Sequence, residues 1–162
     1  MINEEDKNLF RSTVEKNTPI DKDSHNNKSK STNRNEAFKA YSYITDADLS
    51  GADIVYHSQS GVSPKTIKKM KRGDIDYAPT LDLHGQSVIE ACESLSNFIY
   101  HHQEQKIIHI IHGKGYHSDQ GKSVLKSQVV SYLKQHPQVM AFNSCPAKDG
   151  GTGAVFVLMR NT

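Results

Sequence analysis

The chain has no tryptophan, only two cysteines and no long apolar run. Cys92 and Cys145 do not suggest a disulfide framework or a zinc site. No stretch approaches the roughly 18 apolar residues that a membrane-spanning helix needs. The N-terminus lacks the apolar segment of a secretion signal, so a cytoplasmic protein without a membrane partner is expected. Charge of one sign is also missing. The formal net charge is +2, with 13 basic and 12 acidic residues before residue 79 and 7 and 6 from there on. Neither part binds nucleic acid by bulk charge, so any such affinity has to come from local patches. The length of 162 residues suggests one domain with extensions.

What is present divides into an arm and a compact part. Within residues 1–20, Glu4, Glu5 and Asp6 precede Leu9, Phe10, Thr13 and Val14, which predicts a short helix over 3–16 with a narrow apolar stripe. A helix this short is marginal alone and needs a docking surface. Residues 21–36 are rich in Ser, Asn and Lys and carry no large apolar residue, which predicts a disordered linker. Residues 37–78 read as a partly extended arm that includes a basic helix over 63–72. Ser63 is a good cap, Pro64 suits the first helical position and Gly73 suits the position after the last turn. Lys65, Lys68, Lys69, Lys71 and Arg72 make this the strongest basic patch, either a contact for a phosphate backbone or a solvated helix face.

Residues 79–162 read as an α/β domain of order β-α-β-α-β-β. Residues 80–84 alternate polar and apolar, as a strand does. Leu81 and Leu83 then share one face, and Asp82 and His84 share the other. Gly85 allows a tight exit. Val88, Ala91, Cys92, Leu95, Phe98 and Ile99 form the inner stripe of a helix, which makes Cys92 a reduced core residue. Residues 106–112, KIIHIIH, read as a strand buried on both faces, which suggests a parallel sheet. A second helix is expected over 121–135, with Val124, Leu125, Val129, Tyr132 and Leu133 facing inward. A short strand over 139–143, a glycine-rich turn and a final strand over 154–159 follow.

This order has a chemical consequence. A strand–helix–strand crossover leaves its two strands parallel, so both carboxyl ends lie on one edge, where open α/β sheets bind ligands. Asp82-x-His84-Gly85 ends the first strand and His112-Gly113-Lys114-Gly115 ends the second. An acid and an imidazole aimed the same way can form a catalytic pair. Gly113 and Gly115 let the backbone approach a phosphate, and Lys114 adds a point charge. The remaining histidines read blandly: His101, His102 and His136 at helix ends, His109 on a sheet face and His117 in a loop.

Leu-Asp-Leu-His-Gly, Ile-Ile-His-Gly-Lys-Gly and Gly-Gly-Thr-Gly-Ala together resemble the Smr (small MutS-related) domain over about residues 79–160. The region from Ser60 to Asp74 and the early Asp6-Lys7-x-x-Phe10 also resemble short bacterial Smr proteins. The resemblance implies a two-layer α/β sandwich, similar to the C-terminal domain of translation initiation factor three. It also implies endonuclease activity on RNA or DNA, in some members on messenger RNA at stalled ribosomes.

Two functions remain open on these grounds. As an endonuclease, His84 would be general base or acid, since histidine ordinarily titrates within reach of neutral pH. Asp82 would orient it, support the reacting water or hold a metal. Lys114 with the Gly113 and Gly115 backbone would stabilise phosphate charge, and His112 is a candidate leaving-group acid. No cofactor is required for RNA cleavage through the 2′-hydroxyl. Cleavage of DNA would call for magnesium or manganese on two carboxylates, and the motifs hold only Asp82. The other function is a non-catalytic adaptor that grips nucleic acid or the ribosome. Histidine at both strand ends favours the enzyme, because phosphate binding alone would more naturally use arginine.

Overall fold

The computed structural model describes residues 48–115 and 122–160. The expected helix over 3–16, the linker 21–36 and the loop 116–121 lie outside the described residues. In chain order the elements are β1 (Tyr56–Ser58), α1 (Pro64–Arg72), β2 (Thr80–Asp82), α2 (Val88–His101), β3 (Ile107–Ile111), α3 (Val124–Gln135), β4 (Val139–Ser144) and β5 (Ala154–Met159). Two single-turn 3-10 segments, Ala147–Asp149 and Gly151–Gly153, connect β4 to β5.

The strands form one sheet in the order β1-β4-β5-β3-β2. β2 and β3 are parallel, as the crossover through α2 requires. The other pairs are antiparallel, so the sheet is mixed rather than parallel. The reason lies in β5, which returns from β4 through a short connection and inserts beside β3. With neighbours on both sides and both faces covered, all its residues are buried.

One face packs on α2 and α3. Leu83, Ile108, Ile110, Phe142, Val155 and Val157 meet Cys92, Leu95, Ile99, Val129 and Leu133 there. This is the two-layer α/β sandwich. α2 starts from a reciprocal cap in which the Ser87 amide donates to Glu90 at 2.8 Å and the Glu90 amide donates to Ser87 Oγ at 3.4 Å.

The arm adds to the sheet. Tyr56 pairs with Asn143 and Ser58 with Ala141. α1 begins at Pro64 and ends at Gly73, whose φ of 69° terminates it. It buries Ile67 and Met70 on the second sheet face, against Ala141, Phe156 and Leu158. Only those two residues of α1 are buried, which leaves its five cations outside.

α3 departs from its expected phase. Val124 is 60% exposed, whereas Lys126 is fully buried. The buried stripe runs through Lys126, Val129, Val130 and Leu133, which is i, i+3, i+4, i+7. The polar residue at its first position concealed that phase in the sequence.

Candidate active site

The parallel pair brings the ends of β2 and β3 to one edge, and the antiparallel register brings Ala154, the start of β5, there too. Leu83 extends the ladder by one bond, its amide donating to the Ile111 carbonyl at 2.7 Å. Asp82 and His84 therefore leave the sheet on the face opposite Leu83. Asp82 Oδ1 accepts from His84 Nδ1 at 2.7 Å and from the His84 amide at 3.0 Å. Partial burial would raise the Asp82 carboxyl pKa. The two hydrogen bonds from His84, with the charges of His84 and His109, outweigh it and hold the carboxyl below its ordinary range. The His84 side chain is 75% exposed, open to a ligand.

The second motif lies alongside. A Cβ on Gly113 would stand 3.8 Å from His84 Cβ. The first two motifs thus meet as their strand ends require. Lys114 is exposed at this edge. The Gly113 amide is committed, donating to the Gly153 carbonyl at 2.9 Å, as the His112 amide does at 3.0 Å. The glycine-rich turn before β5 is therefore a strut for the motif loop, and the Gly113 amide is not held out to a phosphate.

His112 does not join His84 at the open edge. It is 2% exposed, and its Nδ1 donates to the Gly113 carbonyl at 2.8 Å. Burial pushes its pKa down to about 4. The Gly113 bond opposes that shift and the nearby charge of Lys126 adds to it. A neutral, buried imidazole is not placed to protonate a leaving group, and what it does here is brace the turn. His109 is a satisfied sheet-face residue, with Nδ1 3.2 Å from Thr80 Oγ1, Nε2 3.0 Å from the Asp149 carbonyl and the Phe156 ring beside it.

Of the basic residues, Lys65, Lys68 and Lys69 are exposed on α1. Arg72 is paired with Asp74 at 3.0 Å, and the Lys71 ammonium sits 4.8 Å above the Tyr56 ring. α1 covers the same sheet face from which Asp82 projects.

Sequence reasoning missed a buried clamp behind the motif loop. Lys126 Nζ donates to the carbonyls of Ser50, Gly51 and Asp53 at 3.1, 3.3 and 2.5 Å. Burial lowers its pKa, and Asp53 partly offsets that. The segment it holds presses on the motif loop so closely that a Cβ on Gly51 would overlap the Lys114 carbonyl oxygen. A cation flanked by Leu125 and Val129 was the one available signal. Lys126→Met is expected to lower the unfolding free energy by about 2 kcal/mol, because three carbonyls lose a charged donor; urea denaturation measures it.

Among the described residues no three of His, Cys, Asp and Glu gather into a set able to hold a metal ion. Among the described residues, the motif edge holds one carboxylate, that of Asp82. No helix among the described residues is long and apolar enough to cross a membrane.

An acid–imidazole pair and a glycine–lysine loop on adjacent parallel strand ends define a class of α/β domain, and residues 81–160 match the Smr domain. The chain carries a Smr domain. It is 37% identical over 109 residues to ribosome rescue factor SmrB of Aliivibrio salmonicida, covering 65% of this chain and 57% of that protein. It is 36% identical over 107 residues to ribosome rescue factor SmrB of Salmonella arizonae, covering 65% and 55%. The match thus spans just over half the length of these curated relatives. The fold is shared with YdaL, a stand-alone small MutS-related protein of Escherichia coli, at a TM-score of 0.65 and 22% identity, over 78% of this chain and 96% of that one.

Proposed function

We propose that this Smr domain is an RNA endonuclease acting on ribosome-associated messenger RNA. The observation that carries the reading is the pair at the end of β2. With Nδ1–H donating to Asp82, the acceptor nitrogen of His84 is Nε2, on an exposed ring. This is the arrangement in which a carboxylate fixes the tautomer and orientation of a general base.

In the proposed reaction, His84 Nε2 takes the proton of a ribose 2′-hydroxyl. The freed oxygen attacks the adjacent phosphorus, the bond to the 5′-oxygen breaks, and water protonates that oxygen as it leaves. Lys114 offsets charge on the phosphate oxygens. His112 and Gly153 act as positioning residues by holding the turn that carries Lys114. Among the described residues the motif edge supplies one carboxylate, Asp82, and the step is written through the 2′-hydroxyl without a metal. The names of the curated relatives support the ribosomal setting.

The test incubates the full chain with labelled single-stranded RNA, stem-loop RNA and supercoiled DNA, with and without EDTA. Cleavage of RNA in both conditions, leaving cyclic phosphate ends, is expected. Nicking of DNA that EDTA abolishes would overturn the reading in favour of a metal-dependent DNase. Co-sedimentation with ribosomes without cleavage of any substrate would establish an adaptor instead.

A further inference from the structure

A cavity of about 540 Å³ lies at the other end of β3 from the motif edge, where α1, the segment before β2 and the start of β3 come together. Lys65 and Lys69 of α1 line it, as do Lys106 before β3 and Tyr77. Asp74 and Asp76 complete its polar wall. Asp74 is already held by Arg72, so the three lysines outweigh the one remaining acid. All three are exposed. Tyr77 is 73% exposed, an aromatic ring left in water beside three cations.

We propose that this cavity is an anchoring subsite for single-stranded nucleic acid, in which one base stacks on Tyr77 and the flanking phosphates meet Lys65, Lys69 and Lys106. An aromatic platform beside a cationic groove is how proteins hold single strands without reading sequence. The fold connects this subsite to the motif edge. α1, Ile107, His109 and Ile111 share one sheet face, and the register sets Thr80 beside His109 and Asp82 beside Ile111. From Ile107 to Ile111 is about 13 Å along the strand. β2 is an outer strand of the sheet, and Tyr77, Thr80, Asp82 and His84 are all exposed along its course. A strand seated on Tyr77 and running parallel to β2 reaches Asp82 and His84 without leaving that face. A duplex presents its bases stacked and paired, with none free for Tyr77. The subsite therefore selects unpaired segments.

The inference rests on the nuclease reading only for the strand's destination, and binding tests it without cleavage. The probe is a short fluorescein-labelled RNA with every ribose 2′-O-methylated, so that no 2′-hydroxyl can react. It is compared with a methylated hairpin of equal length whose strands are joined by a non-nucleotide linker, so that none of its bases is unpaired. Tyr77→Ala is expected to weaken single-strand binding by about tenfold and to leave hairpin binding unchanged, whereas Tyr77→Phe keeps the wild-type affinity. The combined Lys65→Gln, Lys69→Gln and Lys106→Gln variant is expected to flatten the salt dependence of single-strand binding by a slope of about 2. An unchanged affinity in Tyr77→Ala, an equal loss for strand and hairpin, or no binding by the wild type would overturn the subsite. If these binding results hold while no RNA is cleaved, the nuclease reading fails and the anchoring subsite stands.

Discussion

Replacing His84 by alanine is expected to reduce RNA cleavage by about 10²- to 10⁴-fold, the range that a positioned proton-transfer group supplies. The expectation comes from the geometry of the pair. Asp82 binds both the imidazole and the backbone amide of His84 through one oxygen, so ring and turn are held together. Nothing else among the described residues puts an exposed imidazole beside the Gly113 turn: His112 is buried, and His109 is engaged at both ring nitrogens. The His84 side chain is 75% exposed, so its loss leaves no cavity and the thermal midpoint stays within a degree or two of wild type. Single-turnover cleavage beside a melting curve separates the two. Asp82→Asn is expected to show a smaller loss, since it keeps an oxygen acceptor and loses the charge. A His84→Ala rate within threefold of wild type would remove the pair from the mechanism.

Acid is expected to destabilise the protein over a defined interval, through His112 and His136. Both are buried, 2% and 3% exposed, and burial pushes both pKa values down to about 4. In the unfolded chain the same imidazoles take up a proton near pH 6.5. Between about pH 6.5 and pH 4 the unfolded state therefore binds more protons than the folded one, and stability falls as pH falls through that window. Above pH 6.5 this contribution is fully present, and below pH 4 these two groups cause no further loss. The magnitude is on the order of 3 kcal/mol for each histidine. Urea midpoints at fixed ionic strength between pH 4 and pH 7.5 measure it. His112→Gln, which cannot take up the proton, is expected to remove about half of the slope. A midpoint that does not move between pH 6.5 and pH 4.5 would show that the two imidazoles are not held neutral in the folded protein.

The cysteines follow the same physics in the other direction. Burial raises the Cys92 thiol against a hydrogen bond with Gln128, and pushes Cys145 up to about 12, with the charge of Asp149 adding to it. Both are free and buried, as expected of core thiols.

The sequence by itself determined the local elements and their faces. Period-two alternation put Leu81 and Leu83 on one side of β2 and Asp82 and His84 on the other, and period 3.6 picked out the buried face of α2. Ser63, Pro64 and Gly73 bound α1 by their local backbone preferences alone. The pairing of β2 with β3 followed from the handed crossover, and with it the meeting of the His84 and Gly113 motifs. These features are set by interactions a few residues apart or by a connection of fixed hand.

The tertiary structure alone decided the rest, because it depends on groups far apart in the chain. Period two sets His112 on the β3 face of Ile108 and Ile110. That α2 and α3 cover this face up to the strand end, so that the imidazole is sealed from water, was decided by packing. Whether Lys126 points outward turns on a segment more than 70 residues earlier, whose carbonyls satisfy its ammonium in the interior. The antiparallel return of β5 turned a strand pattern suited to a parallel sheet into a mixed one. The pairing of β1 with β4 brought the upstream arm onto the sheet and α1 onto its second face. A buried strand reads alike whichever neighbour covers it, so the motifs identified the edge where chemistry gathers, and long-range packing decided which of their side chains reach it.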